Sequence, residues 1–111
     1  MSDQIVWAPS ACTLPTAERP LRVAEFDALF AETLQAVRRK SATRLRLELV
    51  SAPEHAARAA ELAARETGCC SFFTFTVTVA GGGLALEVAV PAEHTSVLEA
   101  LRARAEAAIT S

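Results

Sequence analysis

The run Phe73-Thr74-Phe75-Thr76-Val77-Thr78-Val79-Ala80-Gly81-Gly82-Gly83-Leu84-Ala85-Leu86-Glu87-Val88-Ala89-Val90 decides the fold class. Phe73, Phe75, Val77 and Val79 alternate with Thr74, Thr76 and Thr78. A period of two puts the apolar set on one face of a strand and the threonines on the other. Leu84, Leu86, Val88 and Val90 repeat that pattern after the three glycines, which provide the backbone freedom of a tight turn. The stretch reads as a β-hairpin with one buried face, ended by Pro91.

Upstream, Pro53 opens a helix at a first-turn position. The helix is rich in Ala, runs to about Thr67 and has Gly68 as its expected terminator. Before it, Leu45, Leu47 and Leu49 alternate with Arg44, Arg46 and Glu48, which predicts a strand over 43–50 with one wet face. From Arg22 to Arg39 the spacing of Phe26, Leu29, Phe30, Leu34 and Val37 predicts a helix with one apolar stripe. Glu25, Asp27 and Glu32 early and Arg38, Arg39 and Lys40 late would complement its dipole. Downstream, Val97, Leu98, Leu101, Ala105 and Ala108 predict an inward face for a last helix over about Glu93–Ile109.

The expected order after an N-terminal arm is therefore α-β-α-β-β-α. One apolar face per strand implies an α+β domain: a mostly antiparallel three-stranded sheet with helices packed on one face. The strand–helix–hairpin–helix portion resembles part of a ferredoxin-like layout. Residues 1–21 form the arm, with Pro9, Pro15 and Pro20 and, unusually for a tail, Trp7 and Cys12; it is expected to pack on the body. Residues 22–111 form a single domain. A three-stranded sheet has open edges, which the arm or a second copy must manage, so a homodimer is expected.

At 111 residues, 51% hydrophobic and 22% charged, the chain has the size and composition of one globular domain. A net charge of -2 provides no field for nucleic acid or an anionic membrane. There is no basic, apolar leader at the first residues, and the stretch from Phe72 to Val90 is broken by threonines and glycines, so it is no membrane span. The expected location is the cytoplasm. Three cysteines make an odd number, which suits free thiols or a thiolate site better than a disulfide framework.

Cys69 and Cys70 are adjacent, poor partners for one another in a disulfide, and good neighbouring donors for a soft ion. Hg(II), Zn(II), Cu(I) and trivalent arsenic all take thiolates. Cys12 on the arm is the one other sulfur donor of its kind, and it would make the set Cys12, Cys69 and Cys70. Both paired cysteines follow the end of a helix, whose negative pole disfavours a freestanding thiolate. Arg22, Arg19 or Arg65 would counter that. Glu66 lies three and four residues before the pair; it reads as a solvated helix residue, or as a group that bonds a thiol or bound ion. His55 and His94, each near a helix start, read as solvated or capping residues. Phe72, Phe73 and Phe75 would wall an apolar pocket or pack in the core.

Two stretches together carry a family resemblance. One is Cys12-Thr13-Leu14 with Arg22 and Glu25-Phe26; the other is Glu66-x-x-Cys69-Cys70-x-Phe72-x-x-Phe75 with the glycine hairpin and closing helix. The pairing resembles a family of short bacterial proteins, sometimes encoded beside regulators of the mercury-resistance type. Many of them carry Pro after the paired cysteines, where this chain has Ser71. The resemblance implies that Cys12, Cys69 and Cys70 occur together as a set with Glu66 nearby, in a heavy-metal or thiol-stress setting.

Three functions remain open on the sequence. The first is a heavy-metal or metalloid binding protein without turnover, using Cys12, Cys69 and Cys70 with Glu66 and Arg22 in support. The second is a thiol enzyme or redox protein in which Cys69 or Cys70 is the nucleophile and Cys12 resolves it. The third is a structural or partner-binding module whose cysteines pack as small hydrophobes.

Overall fold

A computed structural model describes residues 19–69 and 72–110 of the chain. In order, it contains α1 (Arg19–Thr33), β1 (Leu34–Ser41), β2 (Arg44–Leu49), α2 (Pro53–Cys69), β3 (Thr74–Ala80), β4 (Gly83–Ala89), a 3-10 turn at Ala92–His94 and α3 (Thr95–Thr110). The four described strands form one antiparallel sheet in the order β1-β2-β4-β3. The class is α+β, as expected, but the sheet has four strands and the order is α-β-β-α-β-β-α. The expected arm at 1–21 falls almost wholly outside the described residues; α1 itself starts at Arg19. Pro20 thus sits in the first turn of a helix, where its missing N–H is no loss.

The extra strand replaces the last third of the helix expected over 22–39. Leu34 and Val37 do pack against the core, but from β1. They are three residues apart because the β1–β2 register shifts between Leu34 and Ala36. One added residue changes the phase of a strand, so two core-facing side chains acquire a helix-like spacing. Helix α1 stops where Thr33 Oγ1 donates to the Leu29 carbonyl at 2.6 Å. The Thr33 carbonyl then accepts from Val50 N at 2.7 Å, tying the helix end to the end of β2. Arg38, Arg39 and Lys40 accordingly lie on an edge strand and complement no helix dipole.

The β3–β4 hairpin matches its expectation closely. Gly81 and Gly82 take φ of 60° and 77°, the paired left-handed conformations of a primed turn. Leu84, Leu86 and Val88 are buried under the helices, with Leu45, Leu47 and Leu49 beside them on β2. Phe26, Leu29 and Phe30 of α1, Ala59 and Leu62 of α2, and Val97, Leu98, Leu101 and Ala105 of α3 complete the core. Helix α2 packs on β3, α3 packs on β1 and β2, and α1 touches both other helices. The opposite face of the sheet is lined by Thr74, Thr76, Thr78, Arg44, Arg46, Glu48 and Glu87.

The register reveals an internal two-fold relation. Each position of β2 and α2 has a counterpart 39 residues on in β4–α3: 47 at 86, 55 at 94, 65 at 104; on β1 the register shifts stretch that interval, so that Val37 answers to Val77. The central strands obey it pair by pair. Leu45 pairs with Val88 and Leu49 with Leu84; Arg46 pairs with Glu87 and Glu48 with Ala85; Leu47 pairs with its own counterpart, Leu86. The entries to the two helices agree as well, since His55 N bonds the Ala52 carbonyl at 3.0 Å and His94 N bonds the Pro91 carbonyl at 2.9 Å. Two ββα units thus pack about an axis at Leu47–Leu86, with α1 laid across their helices.

Candidate functional site

Helix α2 ends at Cys69, one residue past the expected terminator Gly68. Cys12 and Cys70 lie outside the described residues, as do the side chains of Cys69 and Arg22. Glu66 is the member of the expected set whose side chain is described, and it is 1% exposed. That corrects the reading of Glu66 as a solvated helix residue. It belongs to the buried stripe Ala59, Leu62, Ala63, Glu66, spaced three, one and three residues apart along the core face of α2. That spacing was readable in the sequence; the presence of an acid in it diverted the reading.

A carboxyl group is costly to bury, so its position needs a reason. The internal two-fold isolates that reason. The counterpart of Glu66, 39 residues on, is Ala105, which is 0% exposed in α3. The same place in the same architecture is filled by a methyl group in one unit and by a carboxyl in the other. Packing alone therefore accepts Ala there. The acid stands three residues before Cys69, at the helix end that leads into the paired cysteines.

Beyond residues 70–71 the chain returns through an aromatic row. Phe72 and Phe73 have ring centroids 4.7 Å apart, Phe73 and Phe75 5.2 Å, and Phe75 and Phe26 6.2 Å. Phe73 is buried and Phe72 and Phe75 pack against the core, so core packing accounts for all three. His94 stacks on Phe72 at 4.2 Å with planes 20° apart. This histidine, read from sequence as solvated or capping, lies against the residue two places after Cys70. Its counterpart His55 instead bonds the Val50 carbonyl through Nδ1 at 2.8 Å, tying the start of α2 to the end of β2 and not capping the helix. Among the described residues, no three His, Cys, Asp or Glu side chains converge as metal donors.

The arginines whose side chains are described are matched by acids. Arg65 of α2 reaches Glu25 of α1 at 3.1 Å, and its counterpart Arg104 of α3 grips Asp27 of α1 through two bonds, one of them 3.1 Å. On the open face of the sheet Arg38 bonds Glu48 at 2.8 Å and Arg46 bonds Glu87 at 3.0 Å, with Arg46 also 3.6 Å from Glu48. The Arg38 hydrogen bond, with Arg38 and Arg46 adding charge, holds the Glu48 carboxyl below its ordinary range. The resulting surface alternates in sign and presents no array of free cations for phosphate. No described helix is long and apolar enough to cross a membrane.

Comparisons with protein-family models, with curated proteins and with solved structures return no match to this chain.

Proposed function

We propose that the chain binds a soft metal ion or metalloid through the thiolates of Cys12, Cys69 and Cys70, with Glu66 and Arg22 as supporting groups that hydrogen-bond the donors. The observation that carries this reading is the buried carboxyl of Glu66 at the cysteine end of α2, in a position that the sister unit fills with Ala105. The donor set fits the chemistry. Three thiolates suit Hg(II), Zn(II), Cu(I) or arsenite-derived As(III), and discriminate against hard ions. The carbonyl end of α2 favours a cation in that region, and the Glu66 carboxyl would add to that on giving up its proton. The same two features raise the cost of a lone thiolate, which argues against an activated nucleophile and for a coordinated one. Binding would release the thiol protons and tie the arm to the body. The resulting role is sequestration, delivery or sensing in the cytoplasm, without turnover.

The test is a titration of the fully reduced protein with Hg(II), Zn(II), Cu(I) and arsenite, followed by thiolate-to-metal absorption and calorimetry. Tight binding of at least one ion is expected, lost in a Cys12→Ser, Cys69→Ser, Cys70→Ser triple variant. Glu66→Gln should weaken binding by about 10- to 100-fold, the usual cost of losing a group that orients a ligand. Equal binding by the triple variant, or no binding at all, defeats the reading. A thiol that alkylates at neutral pH far faster than a free cysteine would instead favour the thiol enzyme.

A further inference from the structure

The two edges of the sheet are built oppositely. β1 carries Arg38, Arg39 and Lys40, all exposed, and its pairing to β2 is broken by two register shifts. Charge and irregular pairing on an edge are the usual means of preventing strand addition. β3, its counterpart in the other unit, has neither. Its seven residues, Thr74–Ala80, contain no charge and no proline, and each pairs in unbroken register with β4. Among the described residues β3 has a strand on one side alone. Val79, near its end, is 66% exposed, the most of the large apolar side chains described.

The uncharged surface continues onto α2. Arg58 and Arg65 of that helix point toward α1, where they meet Glu32 and Glu25. Ala56, Ala60 and Thr67 occupy the opposite side, by helical spacing. That side adjoins β3, since Ala56 and Val79 line one small hollow together with Ala52, Pro53 and Leu84. Small residues there allow a second helix to approach closely. Strand edge and helix flank together thus form one charge-free strip, on the side of α2 away from α1.

We propose that this strip is a homodimer interface, in which β3 pairs antiparallel with β3 of a second copy and α2 packs beside its mate. The proposal is independent of the metal site. The occupant follows from self-complementarity. With the two-fold at Val77, all seven residues of the strand find partners: Val77 faces Val77, Val79 faces Phe75, and Thr76 faces Thr78. The exposed Val79 is thereby covered by the half-buried Phe75, and the threonines pair across the wet face, both favourable cross-strand combinations. No like charges meet at the axis, whereas β1 paired with itself would bring Arg38, Arg39 and Lys40 together. A stable interface removes roughly 800 Å² from each partner. One strand edge is too narrow for that, and the flank of α2 supplies the remaining width. The outcome is a sheet of eight described strands, twice the four described in one chain, whose two free edges are both the charged β1.

Sedimentation equilibrium of the full chain, fully reduced so that no intermolecular disulfide is counted, tests this. Twice the chain mass is expected at micromolar concentration. Val79→Lys and, separately, Ala60→Glu should sediment at the chain mass, while retaining the circular dichroism and melting cooperativity of the dimer's subunits. Both positions are exposed, so both variants fold. Lys40→Thr on the other edge should leave the mass unchanged. A monomeric wild-type chain overturns the proposal, as does a Val79→Lys or Ala60→Glu variant that stays dimeric. A chain that dimerises through β3 only after residues 1–18 are removed also overturns it, by assigning that edge to the arm.

Discussion

The units β1–β2–α2 and β3–β4–α3 share a backbone plan and differ where the plan is indifferent. Both supply one central strand of leucine or valine, and both anchor α1 through an arginine one residue before the end of the core stripe, Arg65 or Arg104. They part at three places. The first unit closes its hairpin at Ala42-Thr43 with no positive φ and a register shift, the second at Gly81-Gly82 with two positive φ and none. The first armours its edge strand with charge and the second leaves its own bare. The first buries Glu66 where the second buries Ala105. Features common to both units answer to folding. Features present in one alone are the ones that folding did not demand, and function is to be sought among them.

The sharpest way to break that contrast is to make the second unit like the first. Ala105→Glu places a carboxyl where α3 buries a methyl group, and should cost roughly 3–5 kcal/mol, the penalty of an uncompensated buried charge. Urea denaturation of the reduced, metal-free protein measures it. A cost near zero would mean that this core tolerates acids generally, and Glu66 would lose its significance. A smaller effect separates the two arginines that hold α1. Arg104→Ala removes a two-bond contact with Asp27 and Arg65→Ala a single bond to Glu25. Both pairs are partly exposed, so each should cost about 0.2–1 kcal/mol, with Arg104 the larger. The reverse order would show that α1 leans more on α2 than on α3.

The smallest effect concerns Glu48 on the open face. Its folded-state pKa is lowered, chiefly by the Arg38 hydrogen bond. Its contribution to stability is therefore complete above the ordinary carboxylate range and is lost as pH falls through the folded-state value. Glu48→Gln should be less stable than the wild type near neutrality, and the gap should close as the pH falls through the lowered folded-state value. A gap that stays constant with pH would mean that the hydrogen bond to Arg38 contributes nothing through charge.

Legibility followed periodicity. The hairpin at 73–90, the strand around Leu45–Leu49, the helix opened by Pro53 and the closing helix were all readable, because each keeps one period over its length. β1 was not, because a bulge between Leu34 and Ala36 gave its core residues a helical interval and extended the true helix α1 on paper. The internal relation was also missed. Its counterparts match in burial more than in identity, as with Ala59 and Leu98, both 0% exposed, so little of it shows letter by letter. Glu-His at 54–55 and again at 93–94, each just after a strand ending in alternating leucine or valine, was the available clue. Of the candidate site, the sulfur chemistry was legible as residue type and adjacency, whereas the burial of Glu66 and the stacking of His94 on Phe72 were not.

By itself the sequence determined the class of the protein and the period of most of its elements, since these follow from local spacing of apolar side chains and from Gly and Pro. It also determined that soft-donor chemistry, if any, rests on three cysteines. Only the tertiary structure decided the fourth strand, the two-fold register at Leu47–Leu86, which edge is bare, and that Glu66 is interior. The physical reason is common to all four. Each depends on what a residue meets across the fold, and an edge, a register or a buried acid exists only once another element has been laid beside it.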